Sequence, residues 1–248
     1  MGWWHNFLVV LGGTYGAVWT HIGPLTGGAL PALIAFAMMA WLVGRDGIEW
    51  LIAVPALFIV GQFLVTIPMV SLHRRLLQPD AAGESLLRFV PGKRDWKSFG
   101  ALFALTLASR LPAGFLEQAY EGPDPRVATG IAVLWLAAVI YLVPRLVLVF
   151  PAIAIDQPQA LKTAWRLSKR SHGYFWLVLP TIILLWVVLF GGLRGLTNAL
   201  ASILPAGLPE IVLAGGFGFF MVLTYALLAS LAAQIYALRN PGKAESLT

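Results

Sequence analysis

The residues of this sequence able to do chemistry are few and mostly cationic. Arg110 and Arg145 each interrupt an apolar run, and Lys162, Arg166, Lys169 and Arg170 cluster around Trp165. Guanidinium and ammonium groups set in apolar surroundings suit the binding of an anion, such as a lipid phosphate. The four histidines, His5, His21, His73 and His172, are far apart and lack the spacing of a metal site. There is no cysteine, which removes thiolate nucleophiles, disulfides and cysteine-metal sites together. No Gly-x-Ser-x-Gly, phosphate loop or His-Glu-x-x-His occurs. These residues predict binding without catalysis, metal or cofactor.

The elements that must carry them follow from composition. The chain has 248 residues, 59% hydrophobic and 11% charged, with a mean hydropathy of +0.80. A soluble domain carries roughly 25% charged residues, so there are too few charges here to solvate a globule of this length. Charge-free runs at 50–72, 127–144, 171–193 and 211–238 are each near or above the ~18 residues that mark a membrane-spanning helix. The expected fold is all-α: a polytopic helical membrane protein of six transmembrane helices in a single membrane domain, 1–240, with a polar tail at 241–248. The spans are expected at about 25–43, 48–72, 98–118, 127–155, 174–193 and 209–238. An interfacial helix is expected over 3–19, anchored by Trp3, Trp4 and Trp19 at headgroup level. The third span is the weakest, because Arg110 and Pro112 fall inside it, and Pro144 predicts a kink in the fourth.

Between the fourth and fifth spans, 158–170 reads as an amphipathic surface helix with Asp156 as its N-cap. Ala160, Leu161, Ala164, Trp165 and Ser168 share one face; Lys162, Arg166, Lys169 and Arg170 lie on or beside the other. The small-residue pairs Gly12/Gly16, Gly191/Gly195 and Ala214/Gly218 permit close helix approach, within one chain or between two.

Basic residues orient the chain. The stretches 73–97, 156–172 and 239–248 hold 6, 4 and 2 Lys/Arg, twelve of the 17. The positive-inside rule then puts both termini and both basic loops in the cytoplasm. It also accounts for the net charge of +6 without a nucleic-acid partner. Arg110 and Arg145 have no carboxylate at their own depth. Each costs roughly 2.5–3.5 kcal/mol near mid-bilayer, and two readings are open. Either they face a cavity and bind an anion, or they snorkel and bond the carbonyls freed by Pro112 and Pro144.

The stretch Arg145, Pro151-Ala-Ile-Ala, Asp156, Ala160, Ala164-Trp165-Arg-Leu-Ser168 resembles the signature of the membrane domain associated with glycerophosphodiester phosphodiesterases and of its bacterial inner-membrane relatives. Ser168 stands where those proteins usually have Thr, and Ser171-His172-Gly173 replaces a nearer Gly. Upstream, Leu72-His73-Arg74-Arg75-Leu-Leu77 and Arg94-Asp95-Trp96 extend the likeness, which runs from about residue 15 to 190. The resemblance implies a bacterial inner membrane and a family whose members mostly have no assigned activity. It does not bring the phosphodiesterase activity, which resides in a separate soluble barrel with a His-Arg-Gly and Glu-Asn site and a divalent metal. His73-Arg74-Arg75 has no such continuation.

The function expected is that of a non-enzymatic multi-pass protein. It would organise anionic lipid headgroups, or a membrane-protein partner, through its basic helices. The alternative is a small permease or lipid-handling transporter with an anion site near Arg110 and Arg145.

Overall fold

A computed structural model describes residues 3–43, 48–81, 85–86, 88, 90–120, 125–169, 171–200, 203, 205 and 207–240, with the side chains of 48–51, 79, 109–120, 125, 128 and 136 excepted. In chain order the helices are α1 (Trp3–Gly28), α2 (Leu30–Leu42), α3 (Ile48–Leu77), α4 (Lys93–Tyr120), α5 (Pro125–Val147), α6 (Val149–Ala154), α7 (Ala160–Ser168), α8 (His172–Leu200) and α9 (Leu208–Arg239). The described residues are all-α.

Four helical segments are long and apolar enough to cross a membrane: Ile52–Leu77, Thr129–Ala154, His172–Leu200 and Leu208–Arg239. The pair α1 and α2 meets the same test only as a bent unit, with 76° between its arms. That makes four or five candidate spans where six were expected. The segment over the third expected span, α4, is helical from Lys93 to Tyr120 but is not among the four. The side chains of 109–120, Arg110 among them, lie outside the described residues, and the count of spans is made without them.

The N-terminal third differs from expectation in its boundaries. The first helix does not stop at Trp19 but runs through Pro24 to Gly28. The span expected at 25–43 is divided, because the chain bends at Ala29. Pro31 explains the place: it has no amide for the Gly27 carbonyl and its ring crowds that carbonyl. The 13 residues of α2 rise only about 20 Å, short of a ~30 Å hydrocarbon layer. The same chemistry acts in the fourth expected span. Helix α5 continues through Pro144, and the interruption falls at Leu148, where Pro151 withholds the amide that the Val147 carbonyl would accept.

Helix α9 is the hub, packing on α1, α2, α3, α6 and α8. Its second half is almost wholly buried, from Ala226 through Leu231, Ala233 and Tyr236. Small residues let neighbours close on it. A Cβ at Gly218 would collide with the Leu33 carbonyl oxygen and sit 3.1 Å from the Ala37 amide nitrogen. The pair Ala214/Gly218 therefore serves packing within the chain. At Gly12, Gly16, Gly191 and Gly195 an added Cβ would meet nothing within 4 Å.

Some polar groups of the bundle bond across helices, and others bond the carbonyls of their own helix. Gln62 Nε2 donates to Thr106 Oγ1 at 2.7 Å and to Tyr225 Oη at 3.2 Å, joining α3, α4 and α9. Tyr15 Oη and Thr181 Oγ1, 2.8 Å apart, join α1 to α8. Thr66 and Thr224 donate to the carbonyls four residues back. On α8, by contrast, only 11% of the most apolar window is buried. Leu184, Val187 and Val188 face outward, as suits a helix bathed in lipid.

Candidate functional site

The basic segments meet at one end of the bundle, where the end of α3, the start of α4 and the α6–α7 turn converge. Helix α4 begins at a tight turn. Asp95, fully buried, accepts from the Gly92 amide at 2.6 Å and pairs with Arg88. It thus holds down a helix end that would otherwise leave amides unsatisfied. An acidic residue three positions after a glycine was the available signal for this cap, and the sequence reading missed it.

Asp156 has a different task from the one expected. The residue before α7 is Gln159, in the left-handed region, with no side-chain cap. Asp156 itself sits at φ 52°, and its carboxylate receives Arg94 Nε at 2.6 Å and a second bond from the same guanidinium. The bond from Arg94 holds the Asp156 carboxyl below the usual carboxylate range, and Lys97 and Arg74 add to the effect. This exposed ion pair ties the α6–α7 turn to α4, across 62 residues of sequence.

Arg145 is the second organising cation. Tyr141, one turn earlier on α5, and Trp165, on α7, both present ring faces to its guanidinium, with centroids 4.1 and 4.4 Å away. The two rings meet edge to face at 6.2 Å, and His172 stands 6.3 Å from Tyr141. Arg145 is only 8% exposed, and its buried Nε has no hydrogen-bond partner. Ring faces can offset part of the cost of dehydrating a guanidinium. The arrangement also docks α7 on α5.

Helix α7 buries Thr163, Ala164 and Ser168. Leu161 and Trp165 lie outside this buried face and are exposed. They border an open depression of about 660 Å³ lined also by Gln159, Lys162, Thr163, Arg166 and Lys169. Among the described residues no acidic side chain lines it. The structure thus brings Lys162, Trp165, Arg166 and Lys169 together, with Arg145 behind the Trp165 ring. Arg170 lies outside the described residues. His73, Arg74 and Pro151 belong to the packed base of this end: His73 and Pro151 are buried, and Arg74 Nε bonds Gln78 Oε1 at 3.2 Å. Among the described residues no group of three or more His, Cys, Asp and Glu could hold a metal ion.

Compared with protein-family models, curated proteins and solved structures, the chain matches none. The four or five apolar helices therefore carry the general conclusion by themselves: this is a multi-pass helical protein suited to a membrane.

Proposed function

We propose that the protein holds anionic lipid headgroups in the depression of α7 and does no covalent chemistry on them. The observation that carries this reading is the composition of that one surface. Exposed Leu161 and Trp165 stand beside Lys162, Arg166 and Lys169 over about 660 Å³, with no carboxylate among the described residues. Such a helix lies at the boundary of headgroups and acyl chains. Each cation there contributes about 1 kcal/mol toward an anionic surface. Three together amount to about 3 kcal/mol, or roughly a hundredfold preference over a neutral lipid.

The permease reading has less support. The rings of Tyr141 and Trp165 occupy the faces of Arg145, and Thr66 and Thr224 donate to carbonyls of their own helices. In the reading we favour, six spans are threaded with both termini and both basic loops in the cytoplasm, and α4 completes the set. The family reading fits this assignment. Arg145 and Trp165 of the first motif stack together, and Asp156 of that motif pairs with Arg94 of another, so the motifs act as fasteners for α7.

Native mass spectrometry of protein from discs of mixed phosphatidylcholine and phosphatidylglycerol tests the proposal. Wild type should retain phosphatidylglycerol, and the variant Lys162→Gln/Arg166→Gln/Lys169→Gln should lose the preference. Equal retention by both would overturn it.

A further inference from the structure

A second site, independent of the α7 depression, lies inside the bundle. Between α3, α4, the α5–α6 junction and α9 there is a partly open cavity of about 110 Å³, walled by Met69, Leu102, Phe150 and other apolar side chains, with Thr66, His73, Ser98 and Tyr225 also in its lining. His73 is 3% exposed and Ser98 1%. Each keeps one buried polar atom without a partner, Nε2 and Oγ respectively. A buried polar atom left unpaired costs stability, so two at one cavity point to something that bonds them.

The hydrogen-bond sense defines the group that fits. His73 Nδ1 lies 2.8 Å from the Met69 carbonyl oxygen, which can only accept, so Nδ1 carries the proton. In the neutral ring Nε2 is then an acceptor. The Ser98 hydroxyl can donate. One acceptor and one donor match a hydroxyl, which gives a proton to Nε2 and takes one from Oγ. The rest of the ligand must be apolar and uncharged, because among the described residues no Asp, Glu, Lys or Arg lines the cavity and an ion there would lose its hydration unpaired. Water alone fits poorly: it suits the two polar atoms but leaves the apolar remainder dry. An apolar cavity of ~150 Å³ holds a benzene ring, so this one takes about one ring or a short alkyl segment.

We propose that this cavity binds a neutral alcohol or phenol, its hydroxyl between His73 and Ser98 and its apolar body against Met69, Leu102 and Phe150. The test uses the full chain in phosphatidylcholine discs with a diazirine-bearing 1-hexanol, adducts being located by peptide mass spectrometry. Saturable adducts should form on Met69 and Leu102 and disappear under excess plain hexanol. Ser98→Ala should weaken labelling about fivefold, the loss expected of one hydrogen bond. Leu102→Phe, which fills the cavity, should abolish it. Circular dichroism and gel filtration select the variants that remain folded. Unsaturable labelling, labelling confined to the outer surfaces, or equal labelling by the matching diazirine hexane would overturn the proposal. The last result would mean that lipid acyl chains fill the space.

Discussion

Arg145 offers the sharpest perturbation, because its neighbours make opposite predictions for adding and removing groups. The guanidinium is 8% exposed, with rings at 4.1 and 4.4 Å and Nε unpartnered. A desolvated cation–ring contact contributes about 2 kcal/mol, and an exposed one about 0.5–1. Tyr141 and Trp165 are themselves 50% and 36% exposed, so each contact falls between these limits. The pair together is then worth about 2–3 kcal/mol. Tyr141→Leu/Trp165→Leu should lose that amount, since the cation stays behind without its rings. Adding Arg145→Leu removes the stranded charge, whose cost lies below the roughly 2.5–3.5 kcal/mol of a cation at the bilayer centre, since Trp165 of α7 holds it near the headgroups. The triple variant should therefore be more stable than the double. Equilibrium unfolding of the three proteins in mixed micelles of dodecyl maltoside and dodecyl sulfate reads the difference. If Arg145→Leu lowers stability further in the ring-less background, the guanidinium has other partners and the account of this cluster is wrong.

Three further outcomes follow from the packing and charges. Gly218→Val should lose about 1–3 kcal/mol by overpacking, because its Cβ meets the backbone of α2; Gly191→Val, facing open space, should be near neutral in the same unfolding assay. Asp156 has its folded-state carboxyl held down by Arg94, so its contribution is present above the unfolded value near 3.9 and is lost as pH falls through the lower folded value. Asp156→Asn should flatten that acid limb of a stability-against-pH curve by at most about 1 kcal/mol, as the pair is exposed. The reversal Arg94→Asp/Asp156→Arg should recover more stability than either single change, and a double variant no better than the worse single one would argue against the pair.

The helices were legible in the sequence because charge-free runs and their flanking prolines and glycines act locally. The extent of α9 follows from these alone, whereas α8 runs through Gly191, Gly192 and Gly195 to Leu200, beyond the end expected at 193. The broken N-terminal unit was less legible, since Pro24 and Pro31 look alike in sequence, yet the helix continues past the first and bends before the second. The number of spans depends on α4, whose second half, with Arg110 and Pro112, has its side chains outside the described residues. At the site, Tyr141 and Arg145 stand four residues apart on one helix, a spacing that was open to inspection. Trp165 joins them only because the chain turns between Pro151 and Gln159. Asp156 was read as a cap because capping is a local habit of aspartate, whereas Arg94, distant in sequence, outcompetes it. The His73–Ser98 cavity required three-dimensional placement, for neither residue has a neighbour in sequence that hints at the other.

The seating of α7 against the headgroups is what the proposed function stands on, and the absence of native cysteine makes it directly measurable. A nitroxide on Leu161→Cys, read by electron paramagnetic resonance with oxygen and a nickel chelate as opposing relaxants, reports its depth in discs containing phosphatidylglycerol. The label should lie about 5–10 Å below the headgroups, favouring oxygen over nickel. A label that meets nickel as freely as one in open water would contradict the account.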